Sequence, residues 1–281
     1  MALDVRARID RIADRFPPLR YVLSIQDRYH DLRGNVSANS ITLNAFLALF
    51  AITLLAVALV GYLDRADVDV AKSITEWLGL SGDAARVVTD AVNTARDSAR
   101  FATIVGFASV VTIGTSFSNA IATAYNIAWE VRNRGIIERL RGLAWLAGFG
   151  LLGAASVMAT TLWTRLPSEL SFLVVFVTLT ANGVLWLFTS WWLPNRTTTF
   201  RAMLPAAAAG AAMLEALKVI GGIWVPRLVG NASELWGTIG TVFALLAWIL
   251  FFGRVVVYVT IIEVLEAERL GQKEPPAGLL P

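Results

Sequence analysis

The chain has 281 residues, 56% of them hydrophobic and 16% charged, with a formal net charge of +3. That balance leaves too little polar surface for a soluble domain of this length, and several apolar runs are long enough to cross a hydrocarbon core of about 30 Å. With no cysteine and one histidine, His30, disulfides, thiolate nucleophiles, cysteine-ligated metals and histidine zinc clusters are excluded.

Residues 1–34 read as a cytoplasmic amphipathic segment. Ile9, Ile12 and Phe16 recur at helical spacing, Pro17 and Pro18 interrupt, and Ile25, Tyr29 and Leu32 resume the pattern. The opening MALDVRARIDRIADRF mixes acids with arginines and lacks the apolar core and cleavage site of a removable signal peptide. His30 is expected at a polar surface.

Six crossings are expected over residues 35–265, giving an all-α polytopic membrane protein with a cytoplasmic tail at 266–281. The first is 38–63, with Asn44 placed to bond a neighbouring helix. The connection 64–100 suggests two short amphipathic helices, around 70–78 and 87–91, outside the membrane. The second crossing, 101–124, is rich in Thr112, Thr115, Ser116, Ser118 and Asn119, which suit either tight helix packing or a polar path. It ends in the interfacial set Tyr125, Asn126, Trp129 and Glu130, followed by Arg132, Arg134, Arg139 and Arg141.

The third crossing is 143–163 and the fourth 170–192, the latter interrupted by Asn182. Arg196 and Arg201 lie in the turn that follows. The fifth starts near Met203, and the sixth covers 237–262 after a short loop. Basic residues dominate the connections after crossings two and four, whereas 64–100 holds seven acids against five bases. The positive-inside rule then places both termini in the cytoplasm.

The last two crossings hold the candidate site. Glu215 and Lys218, three apart on one helix, share a face and are expected to pair. Glu215 falls roughly 18 Å from the cytoplasmic end of its crossing and Arg254 roughly 12 Å from that of the next, within reach of one another across an antiparallel pair. Two readings stand: a buried ion network that holds helices together, or a gate or site for an anionic headgroup with Lys218 and Arg254 as its cations. On the second, Arg254→Ala harms function more than Arg196→Ala. Asn119, Tyr125, Asn126 and Asn182 are further substrate or gating candidates. Arg132, Arg134, Arg139, Arg141, Arg196 and Arg201 are candidates for lipid headgroups.

No phosphate loop, nucleophile elbow, zinc-protease motif or histidine triad is present, so no enzyme, cofactor or metal is expected. The arginines sit in loops between crossings, a pattern of membrane topology rather than nucleic-acid binding.

The segment NAIATAYNIAWEVRNRG (Asn119–Gly135) leading into RLRGLAWL (Arg139–Leu146), the turn Pro194–Arg201, LEALKVIG (Leu214–Gly221) and WGTIGTVFALLAWILFFGRVVVYV (Trp236–Val259) together resemble the YihY/BrkB family of integral membrane proteins, most closely its YhjD-like branch. The resemblance covers about residues 30–265, although LNAFLALFAI (Leu43–Ile52) lacks the proline usual in the family's first span. It implies a multi-pass protein of the bacterial inner membrane that serves envelope integrity, with membrane lipids as partners. It also implies either movement of an anionic lipid or other amphiphile, or a noncatalytic scaffold that contacts another envelope protein. The ribonuclease label once attached to the family finds no support in these residues.

Overall fold

The computed structural model describes residues 16–65, 83–132, 135–163, 173–196 and 198–273. Its helices are α1 (Pro17–Asp31), α2 (Gly34–Arg65), α3 (Asp83–Trp129), α4 (Ile136–Trp163), α5 (Leu173–Trp192) and α6 (Phe200–Arg269). The chain divides into two compact units, one formed by residues up to Thr42 with those from Ser118 onward, the other by Leu43–Phe117.

Pro17 and Pro18 do not interrupt a helix; they start α1. Proline is well suited to the first turn, where its missing N–H would have had no partner. Phe16 before them is extended (φ −129°, ψ 92°), as a residue preceding proline prefers. Residues 1–15, expected to continue the amphipathic pattern, lie outside the described residues, as do 66–82 and the tail from 274. The short helix expected around 87–91 is no separate element, because α3 runs unbroken for 47 residues from Asp83.

α6 is helical through all 70 of its residues, across the loop expected between the last two crossings. A straight helix of that length would measure about 105 Å, yet its ends touch. The Thr199 N–H donates to Gln272 Oε1 at 3.3 Å, and Gln272 Nε2 to Thr199 Oγ1 at 2.6 Å. Midway, Gly221 lies against the Trp248 ring. The chain therefore doubles back between Gly221 and Trp248, and α6 consists of two antiparallel arms.

Four stretches among the described residues are long and apolar enough to cross a membrane: Ile104–Trp129, Val175–Trp192, Phe200–Gly221 and Val242–Arg269. The expectation of six crossings is thereby corrected. Neither of the other two, 38–63 and 143–163, supplies a described 18-residue stretch that qualifies. α2 opens on the polar sequence GNVSANS, and α4 carries Glu138, Arg139 and Arg141 in its first turns.

Within the unit Leu43–Phe117, the hydroxyls of the second crossing bond back to their own helix. Thr112 donates to the Ala108 carbonyl (2.8 Å), Thr115 to Val111 (2.6 Å) and Ser116 to Thr112 (3.0 Å). Such bonds satisfy a hydroxyl in an apolar setting without a second helix.

In the larger unit, α5 packs on both α4 and α6, and α1 packs on α6. Its core holds Tyr125, Trp129, Trp145, Met203, Val256, Val259 and Ile261, all fully buried. α3 and α6 end alike. Val131 N–H reaches the Asn126 carbonyl (2.9 Å) and Glu130 N–H the Ile127 carbonyl (3.1 Å), with Glu130 in the left-handed region at φ 55°. Gln272 and Gly271 repeat the pattern with Ala267 and Glu268, with Gly271 at φ 69°. These are Schellman caps, which satisfy terminal carbonyls and turn the chain back across the helix end. They bring Lys273 and the 130–132 segment to the same end of the unit.

Candidate functional site

The last turn of α3 supplies two side chains that fasten the neighbouring loops, Asn126 and Trp129. Asn126 donates to Glu138 Oε1 (2.8 Å) and accepts from the Asn195 N–H (3.2 Å). Asn195 in turn donates to the Arg132 carbonyl (3.1 Å) and to Glu138 Oε2 (3.5 Å). Glu138 is buried, and amide donors on both oxygens make that tolerable. Trp129 lies beneath the Arg196 guanidinium at 5.2 Å from its ring centroid, and Arg196 Nη2 donates to the Gln272 carbonyl at 2.7 Å. Lys273 donates to the Ala128 carbonyl (2.9 Å) and to Glu130 (3.1 Å).

Tyr125 is enclosed among the helices, with its hydroxyl 3.1 Å from Ser190 Oγ of α5. Both groups face Glu263 on the second arm of α6. Glu263 is 0% exposed, and neither carboxylate oxygen receives a hydrogen bond among the described residues. Glu263 is not among the residues that the sequence singles out. A signal was present nonetheless: Val256, Thr260, Glu263 and Ala267 recur at helical spacing, and all four are buried.

The expected Glu215–Lys218 pair forms at 2.6 Å, and Asn182 Nδ2 of α5 donates to the same Glu215 oxygen at 2.7 Å. Lys218 remains 54% exposed against 21% for Glu215. Arg254 does not join them. The contacts Thr199–Gln272 and Gly221–Trp248 set the register of the two arms and put Glu215 and Arg254 at one level, about 22 Å from the arm ends. Arg254 nevertheless points the other way. Its guanidinium lies 6.0 Å from the Phe251 centroid and reaches Tyr29 of α1. Tyr29 stacks on Tyr258 at 4.8 Å, and Tyr258 donates to Gln26 at 3.0 Å.

The headgroup candidates divide. Arg132, Arg139 and Arg201 are exposed, and Arg139 stands among the bare apolar residues Ile136, Ile137 and Leu140 at the start of α4. Arg141 is engaged internally, donating to the Trp192 carbonyl (2.6 Å) while Trp192 Nε1 donates to the Arg141 carbonyl (2.9 Å). Arg196 is likewise committed to Gln272 and Trp129. Arg134 lies outside the described residues, and Asn119 is exposed on α3.

α1 closes the same end of the unit. Tyr21 donates to Glu266 Oε1 at 2.8 Å, and Arg28 pairs with Glu268. Burial, reinforced by the Glu266 carboxylate, pushes the Tyr21 phenol above its ordinary range, and burial does the same for Tyr29.

A sequence model of the family described as Virulence factor BrkB matches residues 25–278, and the chain belongs to that family. No curated protein and no solved structure matches.

Proposed function

Proceeding from that membership, we propose that the protein moves an anionic lipid or similar amphiphile across the inner membrane, without enzymatic chemistry, and thereby serves envelope integrity. One observation carries the reading: a largely exposed ammonium, Lys218, stands on an apolar arm beside bare Val219, Ile220, Ile223 and Trp224. An ionisable group in such a place is costly unless it has work or water. Glu215 occupies one of the three N–H donors of Lys218, which leaves two to meet a phosphate or carboxylate headgroup. Asn182 fixes Glu215, and Glu215 fixes Lys218, so the cation is positioned rather than free.

In this reading the end formed by Arg132, Arg139, Arg201 and Lys273 faces the cytoplasm, by the positive-inside rule. α1 pairs with residues 266–268, so both described chain ends share one end of the unit. We further read the chain as a member of the YhjD-like branch, on the strength of Leu214–Gly221 and Trp236–Val259. The scaffold alternative draws on Arg141 and Arg196, which are occupied in holding the unit together.

Proteoliposomes carrying fluorescent anionic lipids, read by quenching of the outer leaflet, test the proposal. Wild-type protein accelerates lipid movement, Lys218→Gln slows it, and Arg201→Ala leaves it unchanged. Equal rates for wild type and Lys218→Gln at equal reconstitution, or no protein-dependent movement across a panel of anionic lipids, would sink it.

A further inference from the structure

The second arm of α6 encloses an acid that none of the described residues answers with a hydrogen bond. Glu263 is fully buried with both carboxylate oxygens unbonded among the described residues. Ser190 from α5 and Tyr125 from α3 face it, their hydroxyls 3.1 Å apart. Thr260, one turn back on α6, donates to the Val256 carbonyl and also approaches the Tyr125 hydroxyl.

The charged groups of the surrounding elements are committed elsewhere. Arg28 holds Glu268, and Lys273 holds the Ala128 carbonyl and Glu130. Arg196 holds the Gln272 carbonyl, and the Tyr21 phenol goes to Glu266. Among the described residues, none of these cations pairs with Glu263.

A bare carboxylate in such an enclosure is heavily penalised, and the penalty is relieved by a positive charge bound beside it. The hydroxyls around Glu263 suit that task, because each can offer a lone pair to a cation or a proton to an oxygen. We propose that Glu263, Ser190 and Tyr125 form a binding site for one small monovalent cation, a proton or a sodium ion. Its role as the coupling ion for amphiphile movement rests on the function proposed above; the site itself does not. The location fits: Glu263 lies six residues from the end of α6, about 9 Å from the basic face. Ser190 shares α5 with Asn182, the residue that orients Glu215, so one helix touches both sites.

The test is thermal unfolding of the whole purified protein in detergent, wild type against Glu263→Gln, across pH and with sodium or choline as the salt. Binding to the folded state alone stabilises it by mass action. If sodium is the ligand, sodium raises the wild-type Tm by roughly 5 °C at saturating salt, and Glu263→Gln shows no such rise. If a proton is the ligand, acidification stabilises wild type relative to Glu263→Gln and sodium has no effect. Parallel curves for the two proteins under all conditions overturn the site. Should Glu263→Gln fail to fold, Ser190→Ala decides: a weakened response supports the site, and a response equal to wild type overturns it. No lipid movement enters the readout, so this result and that of the liposome assay stand or fall separately.

Discussion

Gly253 offers the sharpest test of the packing that sets the α6 hairpin. It sits where the second arm crosses α2, and a Cβ there would fall 2.5 Å from the Ala38 carbonyl oxygen and 2.6 Å from Thr42 Oγ1. A carbon–oxygen contact needs about 3.3 Å or more, so Gly253→Ala forces a displacement of nearly 1 Å. The obstacle cannot swing aside. One of the two atoms is backbone, and Thr42 Oγ1 is held by its own 2.7 Å bond to that same carbonyl. Two effects compete: alanine gains up to about 1 kcal/mol of helix propensity over glycine, while overpacking costs about 1–3 kcal/mol. The clash wins because the contact is with backbone, leaving a net loss of about 1–2 kcal/mol. For a chain of this size that lowers Tm by about 2–6 °C. Gly150→Ala is the control, since nothing lies within 4 Å of its added carbon, and it should match or exceed wild type. Temperature-ramped tryptophan fluorescence in detergent reads both variants. A Gly253→Ala protein as stable as the Gly150→Ala protein would refute the close approach of α2 to the hairpin.

Glu138→Leu should cost about 1–3 kcal/mol by removing the buried carboxylate that accepts from the Asn126 and Asn195 amides, while Glu138→Gln loses less; unfolding midpoints measure both. Glu130→Gly relieves a left-handed backbone conformation that costs a non-glycine residue about 1 kcal/mol, and Lys273 keeps its bond to the Ala128 carbonyl. The variant should therefore unfold at or slightly above the wild-type temperature, and a clear drop would mean that the Lys273–Glu130 pair outweighs the strain. Tyr21 supplies a pH dependence. Because its folded value is raised, its contribution is complete below the ordinary tyrosine range near 10 and is lost as pH climbs through the folded value. Proteolysis of α1 should accelerate at strongly alkaline pH in wild type, and Tyr21→Phe, which lacks the bond at every pH, should show no such step.

The class of the molecule was legible in its composition, and so were the elements that periodicity marks. The hairpin arms and the Glu215–Lys218 pair follow from residue spacing, whereas Tyr125, Asn126 and Trp129, expected at the interface, are buried. What spacing does not carry is where one helix stops. α3 absorbs a stretch that reads as a separate short helix, because Asp83–Arg100 alternates polar and apolar residues at the same period as the crossing it joins. The prolines at 17 and 18 read equally as a break or a beginning, and only the helix that follows them decides. Asn182 was marked as polar in an apolar run, but its partner depends on α5 running antiparallel to the first arm, which no local pattern states.

The misplacement of Arg254 has a single cause, and it lies in the choice of reference face. Arg254 and Glu263 are nine positions apart, which on a helix is a half-turn of difference, about 180°. Whichever of the two faces the interior, the other must face away. An inward Arg254 therefore implies an outward Glu263. The buried stripe of Val256, Thr260, Glu263 and Ala267 fixes the opposite choice, and the outward position of Arg254, beside Tyr29 and level with Glu215 but not joined to it, then follows without further assumption. Depth along a crossing could be counted from the sequence; the face could not, because Gly253 beside Arg254 permits close packing on either side. The acid that looked like the end of a span is the enclosed one, and the arginine that looked enclosed is the exposed one.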